Sequence, residues 1–441
     1  MGSVLCDKCA LLFCKFKLRF RNICKEVAHE IAVFFTELAK CTCLSTATPK
    51  RRKRRASNHL VLPLLKTVES PLPVSFMEPL MSLLLSTHPD VQKTTCLSLV
   101  NLLVKRNVCE ELVFEMGMLP PLLEMIRGGD PGARCHACAC VTMLASSESN
   151  SDALVSEGVI PLLVLAKSYD PQVQQNAAWV LLNLTQSVRS RRVLCRAGAV
   201  PVLVVLLQCS DSRVQFYGCS ALVNLAADPE HHARLLHIGE RYLLKCLLTL
   251  MCSPVHKNAC QACKCLQILC RNVVVQDQLL ELDYVWPLKM LLSSSVLECV
   301  QSALRLLSTL TAHPAFHEVL VSEGVFDVIG QMLQHHRSSC DVIVHSCITV
   351  HSLSCTCLGQ QALMESECLP GLLRALVSPV TPVEALIRLT SCLYHLMSFD
   401  FGAVLSGSEL ETEVMRLSAR TEETRQLLSM TGILPASFQE P

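Results

Sequence analysis

Gly158-Val159-Ile160-Pro161-Leu162-Leu163 is followed, across Asp170-Pro171, by Val173-Gln174-Gln175-Asn176-Ala177-Ala178-Trp179-Val180-Leu181-Leu182-Asn183-Leu184. The same order of residues returns as Gly198-Ala199-Val200-Pro201 and then Val214-Gln215 through Ala221-Leu222-Val223-Asn224-Leu225-Ala226. Gly117 stands one unit earlier, so the glycines fall 41 and 40 residues apart, each with a proline three positions on: Pro120, Pro161 and Pro201. Periods of roughly 40–47 residues belong to stacked helical repeats, because a single unit cannot bury its apolar face without a neighbour. Such arrays usually work by offering a long surface to partners.

The period extends outward. Gly239 lies 41 residues beyond Gly198 and Gly324 lies 85 beyond Gly239, which leaves room for one weaker unit around Asp283. Edge units run from about Val74 through Glu78-Pro79-Leu80 to Leu112, and from Glu367-Cys368-Leu369-Pro370 to about Leu405. Within a unit the pattern predicts a short helix, a second short helix and a longer third. Asp130-Pro131 and Asp170-Pro171 open third helices, because Asp accepts from free backbone N–H groups and Pro tolerates the first helical position. After Asp170, the residues Val173, Ala177, Val180, Leu181 and Leu184 keep apolar side chains at helical spacing. Gly117, Gly158 and Gly198 are read as turns between units.

These motifs resemble the armadillo family over roughly residues 74–405. The resemblance implies an all-α fold, a right-handed armadillo superhelical solenoid of about eight three-helix repeats, with an N-terminal extension and a C-terminal cap. We divide the chain into a basic, acylated and partly helical segment (1–41), a basic linker (42–58), the solenoid (59–405) and a terminal helix and tail (406–441). In the family the third helices line a groove for extended peptides, and asparagines there clamp the peptide backbone. On this chain the implied groove residues are Asn101, Trp179, Asn183 and Asn224. Importin-α type solenoids pair Trp with Asn four residues on, in successive units, to hold basic peptides. Here Trp179–Asn183 is one such pair; Leu97 and Ser220 stand where Asn101 and Asn224 would need Trp, and the Asn position elsewhere holds Met143, Gln267, Ser308, Ser352 and Met397. Cargo binding of the importin-α kind is disfavoured. Asn183 and Asn224 either grip a peptide or bond to neighbouring backbone.

The 27 cysteines form no disulfide-like framework in a chain long enough to bury a core unaided, which suits a reducing cytosolic or nuclear setting. Cys135-His136-Ala137-Cys138-Ala139-Cys140 and Cys260-Gln261-Ala262-Cys263-Lys264-Cys265 invite a zinc reading, since two Cys three apart on a helix supply half of a tetrahedral set. Repeat alignment favours packing instead. The position of Ala178 is filled by Cys96, Cys138, Ala178, Cys219, Ala262, Ala303, Cys347 and Cys392, and a free Cys is a small, mildly apolar core residue. We expect no metal and no cofactor.

Residues 1–58 hold 13 Lys and Arg against four Asp and Glu, while the remainder holds 26 against 34. The near-neutral total therefore conceals a basic arm. Met1-Gly2-Ser3-Val4-Leu5-Cys6 resembles an N-myristoylation site at Gly2 with Cys6 and Cys9 placed for palmitate, although Cys6 occupies the place where the motif prefers Ser or Thr. One myristoyl chain anchors only marginally, so a second signal is needed. The cysteines offer one, and the run Lys50, Arg51, Arg52, Lys53, Arg54, Arg55 offers another beside an anionic leaflet. The same run reads as a nuclear import signal, and Ser57 behind Arg54-Arg55 resembles a basophilic kinase site. Ile23, Val27, Ile31, Phe34, Phe35 and Leu38 recur at helical spacing, as a helix that lies on a membrane or caps the first repeat. The architecture is similar to acylated, vacuole-anchored armadillo adaptors of fungi, with weaker similarity to importin-α and β-catenin type solenoids.

No His, Cys and carboxylate set falls at a spacing tied to a catalytic mechanism, and His231-His232 and His335-His336 are expected at exposed helix ends. Aromatic residues make up 5% of the chain and none interleaves the basic run, so base stacking on nucleic acid is not expected. The expectation is a non-enzymatic adaptor, cytoplasmic and membrane-associated, that binds extended protein segments and has no small-molecule substrate; the alternative is a soluble nucleocytoplasmic protein.

Overall fold

The computed structural model describes residues 77–395, apart from 129, 240, 337–338 and 379. Gly2, Cys6, Cys9, Lys50–Arg55 and Ser57, and the expected cap after 406, lie outside the described residues. Among those described, all regular structure is helical, and two compact units divide between Leu225 and Ala226.

The first unit runs α1 (Met77–Leu84), α2 (Pro89–Val104), α3 (Glu110–Glu115), α4 (Leu119–Gly128), α5 (Pro131–Leu144), α6 (Glu148–Leu165), α7 (Pro171–Leu184), α8 (Val188–Arg196), α9 (Ala199–Leu206) and α10 (Ser212–Ala226, whose last residue falls in the second unit). The long helices α2, α5 and α7 pack in succession. The second unit follows with a 3-10 turn (Pro229–His231), α11 (His232–Leu236), α12 (Tyr242–Met251), α13 (His256–Leu269), α14 (Val273–Leu280), α15 (Val285–Leu292) and α16 (Leu297–Leu310). It ends with a second 3-10 turn (Pro314–Phe316), α17 (His317–Ser322), α18 (Val325–His335), α19 (Cys340–Leu353), α20 (Cys357–Glu365), α21 (Cys368–Val377) and α22 (Val383–His395). Here α13, α16, α19 and α22 pack one on the next. These long helices and α2, α5, α7 and α10 are the eight third helices of about eight repeats, the weak unit around Asp283 included.

Local chemistry explains the helix starts. Asp170 Oδ1 accepts from the N–H groups of Gln172 (2.9 Å) and Val173 (3.2 Å), and Asp130 Oδ2 accepts from Gly132 N–H (3.1 Å). Gly117, Gly198 and Gly324 turn the chain with φ of +70°, +85° and +69°, a region L side chains rarely adopt. Gly158 departs from this expectation: it lies inside α6, which runs unbroken through Pro161 and fuses the first two helices of its unit. Its missing side chain makes room for α4 instead, since a Cβ there would come within 3.2 Å of Leu123 Cδ2. Pro161 supplies no N–H to the carbonyl of Glu157 four residues back, and the Arg127 guanidinium donates to that oxygen at 3.2 Å. A charged donor from a neighbouring helix thus replaces the bond that proline removes.

The small-residue position is the seam of both units. Cys96, Cys138, Ala178, Cys219, Ala262, Ala303, Cys347 and Cys392 are each no more than 2% exposed. Burial pushes the Cys138 and Cys347 thiols well up and Cys392 to about 12, so they pack as neutral side chains.

Third helices end on a device that the sequence had not disclosed. At six of the eight ends a polar side chain six residues further on donates to a carbonyl: Asn150 to Leu144, Arg191 to Thr185, His232 to Ala226, Gln276 to Cys270, His317 to Thr311 and Gln360 to Ser354, at 2.7–3.4 Å. Terminal helix carbonyls lack intrahelical donors, and burial makes an unmet one costly. This corrects the expectation for His231-His232, which are 4% and 7% exposed: His232 serves as such a donor, and His231 Nε2 lies 3.8 Å from Asp228. His335-His336 lie at a helix end, as read, with His335 exposed.

Candidate protein-binding surface

In the first unit, Trp179 on α7 is 38% exposed and stacks on Tyr217 of α10, with ring centroids 5.8 Å apart and planes 13° from parallel. The alternation of buried Val173, Ala177, Val180 and Leu184 fixes the roll of α7 and leaves Trp179 on its open side. Tyr217 was not singled out from the sequence. Its signal was available, because it occupies on α10 the position that Asn176 occupies on α7, one turn before the Trp179 position, and third-helix residues at that spacing share a face. Phe216 braces Tyr217 edge-on, at 6.1 Å and 69°. Offset-stacked rings held this way form a rigid apolar platform, with little entropy left to lose on contact.

The asparagines divide. Asn183 is 9% exposed, and its Nδ2 donates to the Thr142 carbonyl at 3.0 Å, meeting a terminal carbonyl of α5. Asn224 is half-buried and donates to Thr185 Oγ1 at 3.0 Å, at the end of α7. Asn176, also buried, donates to the Cys135 carbonyl at 3.2 Å and accepts from Gln172 Nε2 at 3.3 Å. The amide nitrogens of Asn183 and Asn224 are therefore engaged in joining successive third helices. Asn101 is half-buried on α2, two repeats before the helix that carries Trp179. The structure thus brings Trp179 together with Tyr217 and sets the Asn183 and Asn224 amides to work between helices.

A second polar cluster crosses α16 and α19 in the other unit. Arg305 contacts both oxygens of Asp341 at 3.0 Å, His345 Nε2 lies 3.6 Å from Asp341, and His345 Nδ1 lies 3.1 Å from Ser308 Oγ. The residue types are those of a hydrolytic triad, but the Arg305 carbonyl, 3.0 Å from Ser308 Oγ within the same helix, competes with His345 for the hydroxyl proton. Burial holds the His345 pKa below 6.5, against Asp341 and Glu384, which raise it, and with Arg305, which lowers it further. A base depressed in the folded state resists protonation that the unfolded chain accepts, so stability is lost as pH falls from 6.5 toward the folded value. His345→Gln is expected to flatten the loss of thermal stability between about pH 7 and pH 5 relative to the unaltered chain, read by calorimetry; an unchanged slope would show that His345 does not carry it.

The cysteine-rich stretches gather no metal set: among the described residues no three His, Cys, Asp or Glu side chains are arranged to hold an ion. Among them, too, no helix is long and apolar enough to cross a membrane.

The family model described as Armadillo/beta-catenin-like repeat matches residues 147–186 and 187–227, the two units that contain Trp179 and Tyr217. Those two units are armadillo repeats. Similar proteins include Importin subunit alpha-1b of Oryza sativa subsp. japonica, 24% identical over 284 residues, which are 59% of this chain and 49% of that protein. Vacuolar protein 8 of Schizosaccharomyces pombe is 30% identical over 186 residues, 42% of this chain and 34% of that protein. The chain therefore spans half or less of the length of these relatives. In three dimensions it is similar to an engineered protein of known crystal structure, with a TM-score of 0.69 at 19% identity, covering 96% of this chain and 98% of the other.

Proposed function

We propose that this armadillo protein is a non-catalytic adaptor. It holds an extended segment of a partner across the third helices α7 and α10 and is tethered to a membrane through acylation at Gly2 with Cys6 and Cys9, aided by Lys50–Arg55. The observation that carries the binding half is the exposed, pre-stacked Trp179–Tyr217 pair. Large aromatic rings left exposed on a packed scaffold are favoured anchors, since they bury much apolar area at small conformational cost. The tether rests on the residues of the N-terminal arm and on physics: one acyl chain is marginal, and two signals suffice. Ser57 is a proposed regulatory site, where a phosphate would weaken the basic run by adding nearly two negative charges beside it. A soluble, nucleocytoplasmic protein that uses Lys50–Arg55 for import is the competing reading, and similarity to an importin subunit keeps it in the test.

One experiment separates the halves: membrane fractionation, myristate labelling and partner recovery on the full chain, Gly2→Ala and Trp179→Ala. Gly2→Ala is expected to lose label and membrane signal while keeping partners; Trp179→Ala is expected to keep both label and membrane while losing partners. An unlabelled, nuclear or diffuse unaltered chain would remove the tether in favour of import.

A further inference from the structure

Cys260 on α13 and Cys299 on α16 face each other across a third-helix seam of the second unit, with their sulfurs 3.7 Å apart. Cys260 is 8% exposed and Cys299 fully buried. A disulfide needs the sulfurs at about 2.05 Å, so the two must approach by about 1.7 Å to bond. Cys96 and Cys140 also meet across a seam, but Cys96 Sγ lies 3.7 Å from Met125 Sδ and Cys140 Sγ donates to the Cys96 carbonyl at 3.3 Å, so both sulfurs have other partners as well.

We propose that Cys260 and Cys299 form a peroxide-sensitive pair that closes into a disulfide and locks α13 to α16. Cys260, the more accessible sulfur, attacks hydrogen peroxide as the thiolate; the O–O bond breaks, Cys260 becomes a sulfenic acid, and hydroxide leaves and takes up the thiol proton as water. Cys299 then attacks the Cys260 sulfur, the S–O bond breaks, and a second water departs with the Cys299 proton. Two thiols lose two electrons and two protons in all, and one peroxide is reduced to two waters. Burial holds the Cys299 thiol at about 12, with Cys260 adding to it, so the closing step is slow at neutral pH and faster in alkali. The buried pair therefore responds to sustained oxidation, while exposed thiols such as Cys109, Cys355 and Cys357 react first. Cys263, one helical turn from Cys260 on α13, is the nearby competitor, because its thiol feels both Cys260 and Cys299.

The test treats the folded full chain with hydrogen peroxide at pH 7.5 and 9, blocks free thiols, and maps linked peptides by mass spectrometry without reduction. The expected product is a 260–299 linked pair lacking two hydrogens, several-fold more abundant at the higher pH, absent from Cys299→Ala, retained in Cys263→Ala and reversed by dithiothreitol. Helix content by circular dichroism, equal in the treated variants and the unaltered chain, secures that each was folded. The proposal is overturned if folded protein oxidised at its exposed cysteines yields no 260–299 link, if Cys260 pairs with Cys263 instead, or if the link arises only in urea.

Discussion

Trp179→Ala is expected to weaken capture of a groove-bound partner segment by about 30-fold or more, because a central aromatic anchor typically contributes at least ~2 kcal/mol to an interface. Trp179 meets the physical conditions for such an anchor. It is 38% exposed in the free protein, so apolar area remains to be buried, and its stack on Tyr217 fixes the ring before a partner arrives. The fold should barely notice, since the helix keeps its buried face of Val173, Ala177, Val180 and Leu184. Affinity measured by titration, beside an unchanged melting temperature, separates this outcome from unfolding. Asn183→Ala is the poorer probe, although the sequence suggests it. Its amide meets the Thr142 carbonyl at 3.0 Å, so its removal weakens the α5–α7 seam and confuses lost binding with lost structure. Partner recovery undiminished by Trp179→Ala would remove the aromatic platform from the binding surface.

Gly330→Leu is expected to destabilise the second unit by about 3 kcal/mol or more, at the upper end of overpacking effects. Gly330 lies on α18 where α21 crosses, and a Cβ there would sit 2.9 Å from Cys368 Cα, Cys368 N and Glu367 C. These are backbone atoms, so no side chain can swing aside, and relief requires the helices to separate. Even Gly330→Ala should destabilise, against its helix propensity. Gly371→Ala is the matched control on α21: its Cβ would meet Leu333 Cβ at 3.5 Å, an ordinary contact, so alanine there should be neutral or stabilising. Because repeats couple mainly to their neighbours, hydrogen exchange should quicken around α18 and α21 and remain slow in α5 and α7. Uniform loosening of the chain, or equal effects at Gly330 and Gly371, would contradict the close crossing.

Much of the architecture was legible because it repeats. A period near 41 residues, Asp-Pro at the third-helix starts and a Cys or Ala at one fixed position each report a local rule, and the structure places that position in a seam at every unit. Gly158 misled because a glycine beside a helix boundary signals either a turn or a close contact, and only Leu123 of α4, distant in sequence, decides between them. His232 misled for a related reason, and His317 plays the same part unannounced. Their role depends on a helix end six residues back being buried, and burial is not a property of the local sequence.

The binding surface was half legible. Trp179 could be named from its place in the unit, but Tyr217 became part of the surface only when α7 and α10 were set side by side, and of the two partners the sequence left open for Asn183, the neighbouring backbone is the one its amide meets, at the Thr142 carbonyl. The sequence by itself determined the repeat, its helices and the small-residue seam, because periodicity and capping act over a few residues and burial follows from them. Only the tertiary structure decided which polar groups stay available to a partner, since a hydrogen-bonding group is spent or free according to what lies across the seam, some 40 residues away.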